Sequence, residues 1–265
     1  MRGLADKVAI VSGGANGIGR AIVERLCREG VSVTFSGISD GGVATEKNCL
    51  AKGYHVQFVR GDMAEEAFCR RLVKETLARW GKLNFLVNNA FSFIAKGLDA
   101  TREDWLRMMS VGPIAYATMA QGAVEPMKRQ GGGSIVNLSS ISAHIAQPNR
   151  WTYNAAKGAV NQLTRCMALD LSAHNIRVNT VSPGWIWTRE VEKAAGGDRV
   201  KWGPLWGQFH MLRRLGEVEE CAAPVAFLLS DEASFITATE IMVDGGYHGM
   251  GSEGLGEASS FAGSA

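Results

Sequence analysis

The sequence lacks any apolar run approaching the roughly 18 residues of a membrane span. Its first residues, MRGLADKVAIVSGG, carry an arginine but no long apolar stretch and no small-residue cleavage site, so no signal peptide is read there. A cytoplasmic chain without a membrane partner is expected. An excess of one charge sign is also missing. Lys and Arg total 28 against 26 Asp and Glu, and the net charge of +2 gives no electrostatic case for nucleic acid. Cysteine is sparse and unpatterned. Cys27, Cys49, Cys69, Cys166 and Cys221 are odd in number and widely spaced, and no C-x-x-C occurs, which argues against a disulfide framework or a zinc site. They read as small buried hydrophobes in a reducing compartment. His55, His144, His174, His210 and His248 never fall at ligand spacing, so no metal is expected.

What is present is a large core. Of 265 residues, 46% are apolar and 20% charged, the balance of a globular α/β chain that fits one domain. Residues 7–12 (KVAIVS) form a continuous apolar run, as in a parallel strand buried on both faces. Residues 17–28 then place Ile18, Ala21, Ile22 and Leu26 on one helical face, with Gly30 as the stop. The alternation continues with strands at 31–35, 55–59, 83–87, 134–139, 176–182 and 240–246. Helices are read through residue 52, at 64–80, over 101–130 with a division near Gly112-Pro113, at 153–172 and at 217–229. Between 183 and 216 the chain is Trp- and Gly-rich and reads as irregular. The expected architecture is a doubly wound, seven-stranded parallel sheet with helices on both faces, a Rossmann-type α/β fold. It forms a single unit over 1–248, followed by a Gly/Ser-rich tail, 249–265, whose only large apolar residues are Leu255 and Phe261. The tail is expected to be mobile alone and to fold over its own or a neighbour's pocket.

Directly after the first strand stands Ser12-Gly13-Gly14-Ala15-Asn16-Gly17-Ile18-Gly19. Glycines there let the backbone turn tightly and approach a pyrophosphate held at a helix N-terminus. The spacing differs from G-x-G-x-x-G, and a glycine-rich turn can be only a tight turn. The second strand ends Phe35-Ser36-Gly37-Ile38-Ser39-Asp40. No Lys or Arg occurs across 31–46, so a ribose 2′-phosphate would be poorly neutralised and NAD is favoured over NADP.

Tyr153 and Lys157 lie four residues apart on a helix and so share a face. A half-exposed Tyr beside a solvated Lys is the plain structural alternative. Ser139 and Ser140 close the fifth strand, at the sheet edge where open parallel sheets place their ligand crevice. A phenol of pKa about 10 must fall by roughly 2–3 units to exchange protons near neutrality, about 3–4 kcal/mol. A cation about 4 Å away supplies on the order of 4 kcal/mol at an effective dielectric near 20.

The glycine turn, Asp62, Asn88-Asn89-Ala90, Ser140, Tyr153, Lys157, Ile176-Arg177-Val178-Asn179, Pro183-Gly184 and Val243-Asp244-Gly245-Gly246 stand in the order of a known family. Over about residues 5–248 the chain resembles a short-chain dehydrogenase/reductase. The resemblance implies NAD(P)-dependent hydride transfer with a secondary alcohol or carbonyl, Tyr153 as general acid/base and Ser140 on the substrate oxygen. Lys157 would hold the nicotinamide ribose and depress the Tyr153 pKa. The implied cofactor contacts are Ser12, Gly13, Asn16, Gly17, Ile18, Gly19, Gly37, Ile38, Asp62, Met63, Asn89, Ala90, Tyr153, Lys157, Pro183, Gly184, Ile186 and Thr188, and the implied assembly is a homotetramer. Two positions depart from the family pattern. Phe91 replaces the usual Gly, and Gly112 stands where an Asn often relays protons through water, leaving water, backbone or Ser110 for that task.

On the substrate side, Trp185, Trp187, Trp202 and Trp206 cluster in the irregular segment, and Trp151 precedes Tyr153 by two residues. They suit either core and subunit contact or a platform for an apolar ring face. His144, Gln147, Asn149 and Arg150 follow Ser140 as expected contacts for substrate hydroxyls; His144 serves equally as a cap or packing group. The expected substrate-binding residues are Ser140, His144, Trp151, Tyr153 and Trp185. The first substrate expectation is a sugar, polyol or cyclic alcohol. The alternatives are a 3-oxoacyl thioester reductase and a non-catalytic dinucleotide-binding protein of the same fold.

Overall fold

The computed structural model describes residues 1–251 and 254. The expected tail lies outside the described residues from Ser252 onward, Gly254 excepted, and Leu255 and Phe261 with it. Strands β1 (Val8–Val11), β2 (Ser32–Gly37), β3 (Val56–Arg60), β4 (Phe85–Asn88), β5 (Gly133–Leu138), β6 (Ile176–Pro183) and β7 (Glu240–Val243) form one sheet among the described residues. All neighbours are parallel and the order is β3-β2-β1-β4-β5-β6-β7. The doubly wound Rossmann-type sheet expected from the alternating pattern is the one found.

Near-continuous apolar strands belong here because both faces are covered. Ala9, Val11, Val33, Phe35, Val87 and Val136 point to one side, toward α1 (Gly17–Arg28) and the later helix Val218–Leu229. Ile10, Leu86, Ile135 and Val178 point to the other and meet residues of the helices Glu66–Trp80 and Ala115–Arg129. In chain order the helices are α1, α2 (Gly41–Ala51), α3 (Glu66–Trp80), α4 (Arg102–Met109), α5 (Ala115–Arg129), α6 (Trp151–Ser172), α7 (Arg189–Ala194), α8 (Arg199–Gly207) and α9 (Val218–Leu229). No helix of the described residues is long and apolar enough to cross a membrane.

Three boundaries differ from the sequence reading. The division at Gly112-Pro113 is a π-helical turn, Ser110–Ile114, joining α4 to α5. Pro113 has no N–H to give and Gly112 leaves the helical region at φ −92°, ψ −108°. Helix α6 begins at Trp151, which puts Tyr153 inside its first turn. The segment read as irregular contains α7 and α8. Helix α8 buries only Gly207 and carries Gly203 and Pro204, so it has neither apolar stripe nor helix-forming composition to reveal it.

The chain leaves β1 for β2 and β3 on one side, then returns to place β4 on β1's other side. The connections after β1 and β4 therefore diverge, and the crevice opens at their carboxyl ends.

Candidate active site

At that crevice the turn after β1 is stitched to the end of β4. Ser12 Oγ accepts from the Asn89 and Ala90 N–H groups, each at 3.0 Å. Asn89 Nδ2 donates back to the Ser12 carbonyl at 3.0 Å and the Gly13 carbonyl at 3.1 Å. Gly13 has φ +70°, and a Cβ on it would fall 2.8 Å from Ala90 Cα; one on Gly19 would fall 2.1 Å from the Gly13 carbonyl oxygen. Only glycine fits either place. Helix α1 has no acidic residue in its first turn, so the positive end of its dipole faces the cavity uncompensated. A dinucleotide's diphosphate fits this bare cradle of N–H groups.

The cavity has a volume of about 920 Å³. Gly13, Asn16, Gly17, Ile18 and Gly19 line one end, with Gly37 and Ile38 at the end of β2 and Asp62 and Met63 after β3. Ala90 and Asn89 line its middle, and Ser140, Tyr153, Lys157, Pro183, Gly184, Trp185, Ile186 and Thr188 its other end. Three expected residues are not on its wall. Ser12 stands behind it as the acceptor just described. His144 turns away to bond Glu240 Oε1 at 2.8 Å, with Asn161 beside it at 3.0 Å. Trp151 is 54% exposed at the start of α6.

At the β2 end, Asn16 Nδ2 donates to Ser39 Oγ at 3.1 Å. Asp40 there is paired with Arg60 from the end of β3, a cation the linear reading did not bring to this place. Asp62 receives Arg107 Nη1 at 2.7 Å and the Ala64 N–H at 2.9 Å. Burial opposes its charge, but these donors hold its carboxyl below the usual range.

The other end is organised from β5 and α6. Ser140, in extended conformation, caps a short turn and accepts from the Ser142 N–H at 3.2 Å. Buried amides lock α6 to the sheet: Asn88 Nδ2 donates to Asn137 Oδ1, whose own Nδ2 donates to Thr164 Oγ1, both at 2.9 Å. Lys157 Nζ donates to the Leu138 carbonyl at 2.9 Å and lies 3.6 Å from the Phe91 ring centroid. Burial pushes its pKa down to about 7. Tyr153 reaches the cavity, yet burial raises its pKa, with the Ser140 hydroxyl and the Arg150 charge pulling the other way. The lowering expected from Lys157 is not found. Its nitrogen is 5.7 Å from the Tyr153 ring centroid and is itself short of solvent, so desolvation of the phenol prevails.

The two departures explain each other. A Cβ on Gly112 would fall 2.4 Å from Phe91 Cε2, so the Phe91 ring fills the volume a side chain at 112 would need. The ring also meets Tyr153 edge to face at 5.6 Å. Neither Ser110 nor Gly112 lines the cavity. Of the clustered indoles only Trp185 does; Trp206 packs against it at 5.2 Å and Trp202 against Trp206 at 5.0 Å. Buried His210, which sequence did not single out, accepts the Trp185 N–H at 3.3 Å, and burial keeps its pKa low. Phe93 and Arg107 also line the cavity unannounced, since nothing in their local sequence marks them.

Comparison with known proteins agrees with this fold. The family model described as enoyl-(acyl carrier protein) reductase matches residues 13–248. The chain is 37% identical over 246 residues to dehydrogenase/reductase SDR family member 4 of Oryctolagus cuniculus, covering 92% of this chain and 94% of that protein. It is 35% identical over 247 residues to cyclopentanol dehydrogenase of Comamonas testosteroni, covering 91% and 97%. The solved structure of Thermoplasma acidophilum aldohexose dehydrogenase in ligand-free form superposes with a TM-score of 0.85 at 34% identity, covering 94% of this chain and 96% of that one. The chain therefore belongs to the short-chain dehydrogenase/reductase family of NAD(P)-dependent oxidoreductases.

Proposed function

We propose that this protein transfers a hydride between nicotinamide and a secondary alcohol or its ketone, with Tyr153 as general acid/base. The supporting observation is that Ser140, Tyr153 and Lys157 line the same cavity as the bare glycine cradle. The bound nicotinamide would supply the hydride donor or acceptor. Gly13, Gly17, Ile18 and Gly19 would hold its diphosphate, Gly37, Ile38, Asp62 and Met63 the adenosine, and Pro183, Gly184, Ile186 and Thr188 the nicotinamide. NAD is preferred over NADP in this reading, because Arg60 is already neutralised by Asp40.

Ser140 Oγ donates to the reacting oxygen and fixes its place. Tyr153, a neutral phenol at pH 7, gives its proton to that oxygen as the carbonyl carbon takes the hydride; oxidation runs the same transfer backwards. Lys157, with a pKa near 7, supplies or withholds a positive charge behind the phenol within the working range. Trp185 offers a flat apolar wall, which suits the ring face of a sugar, polyol or cyclic alcohol. The description of the matching family model names an enoyl reductase, and only its acyl-thioester substrate class carries over to a second reading, reduction of a 3-oxoacyl thioester. A panel of sugars, polyols, cyclic alcohols and a 3-oxoacyl thioester, followed at the reduced-nicotinamide absorbance with each cofactor, separates the two. Tyr153→Phe should lower kcat at least 10²-fold and leave dinucleotide affinity within about twofold. Turnover retained in that variant would remove Tyr153 from the mechanism.

A further inference from the structure

Several cations line the cavity, and their surroundings differ. Arg107 is paired with Asp62. Arg189 and Lys193 follow Thr188, whose Cγ2 is 3.7 Å from where a Gly17 Cβ would stand, so they belong to the diphosphate end. Arg150 belongs to the opposite end. It immediately precedes α6, three residues before Tyr153, and its guanidinium carbon lies 5.5 Å from the Phe93 ring centroid and 5.6 Å from that of Trp185. Phe93 in turn meets Tyr153 at 5.0 Å. Tyr153, Phe93, Arg150 and Trp185 thus make one continuous wall.

Both rings stand at cation–π distance from the guanidinium. Among the described residues no carboxylate lies within ion-pair distance of Arg150, and no acceptor bonds its side chain. Cation–π contact uses none of the guanidinium's N–H donors, which match a carboxylate's two oxygens. Two other polar groups of the segment after Ser140, Ser142 Oγ and Gln147 Oε1, bond each other at 2.7 Å. An arginine without a carboxylate partner at the substrate end can receive an anion. The other cation there, Lys157, already donates to the Leu138 carbonyl and has a pKa lowered to about 7, so the end suits a monoanion better than a phosphate dianion.

We propose that Arg150 reads a carboxylate on the substrate, so that the molecule oxidised or reduced here is a hydroxy acid or oxo acid whose reacting carbon stands at Tyr153. This deepens the reading under Proposed function and rests on it for the word substrate. One ring separates Arg150 from Tyr153: Phe93 lies 5.5 Å from the guanidinium carbon and 5.0 Å from the Tyr153 ring. That span places the acid group a few bonds from the carbinol, as in a ring hydroxy acid or a sugar acid, and not at the end of a long acyl chain.

The test uses the full chain loaded with NADH and two isosteric probes, cyclohexanecarboxylate and cyclohexanecarboxamide, titrated by calorimetry. The unaltered protein should bind the carboxylate about ten- to a hundredfold more tightly. Arg150→Gln should bring the ratio near one, and Arg150→Lys, keeping the charge without the fork, should restore part of it. Equal binding of the two probes by the unaltered protein, no carboxylate binding, or an undiminished preference in Arg150→Gln would overturn the proposal. The oxidoreductase reading fails separately. Carboxylate preference without turnover of any alcohol would discard the redox reading and keep the anion site. Turnover of neutral cyclic alcohols without carboxylate preference would discard the anion site alone.

Discussion

Tyr153 is held as a neutral phenol, and the Arg150 charge favours its ionisation. Removing that positive charge destabilises the phenolate, so the Tyr153 pKa rises. In the proposed mechanism alcohol oxidation needs the phenolate, so it should climb with pH on the alkaline side. In Arg150→Gln that limb should move upward by up to about one pH unit. Profiles of kcat/KM with a neutral cyclic alcohol check this, and a downward shift would show the sign to be wrong. The linear sequence made Tyr153 and Lys157 legible because helical periodicity alone brings residues four apart together. It marked Arg150 as a polar group facing substrate hydroxyls but not its place beside Phe93 and Trp185, because those rings come from two separate loops. His144 and Trp151 were misplaced for the matching reason: proximity along the chain to Ser140 and Tyr153 says nothing of which way a loop side chain turns.

At the scale of elements, the π turn between α4 and α5 and the loop after β4 are built around one ring. Phe91 packs on Gly112 and covers the Lys157 ammonium. Gly112→Asn alone should overpack this contact and cost about 1–3 kcal/mol. Phe91→Gly alone should lose the cation–π contact and leave a cavity, costing about 1–3 kcal/mol. Together the two changes should cost less than their sum by more than about 1 kcal/mol, since each makes room for the other. Urea unfolding of the four proteins measures the coupling; strict additivity would show that the ring and the turn do not share space. Strand and helix order was readable here wherever apolar spacing was strong, and α1 ends at the residues expected. It failed at α8, where Gly203, Pro204 and stacked indoles carry no period.

For the whole molecule, Lys157 links global stability to pH. Unfolded, its amine titrates near 10.4; folded, near 7. Between those values the unfolded chain binds more protons, so stability rises with pH through that window. The gain from this group should be about 2 kcal/mol between about pH 7.5 and about pH 9.5. Lys157→Met should flatten that slope and raise stability near neutrality. Thermal unfolding across the range decides, and an unchanged slope would mean the amine is not desolvated as described. The sheet order, too, was legible only as a class: alternation implies parallel strands, while the crevice between the β1 and β4 connections follows from a crossover that no local pattern announces. The stitching of Ser12, Gly13, Asn89 and Ala90 at that crevice has a consequence in time. A seat already assembled takes little lost freedom from whatever occupies it, so the dinucleotide needs no companion to settle first. The enzyme would wait loaded, and the smaller reactant would come and go over a resident floor.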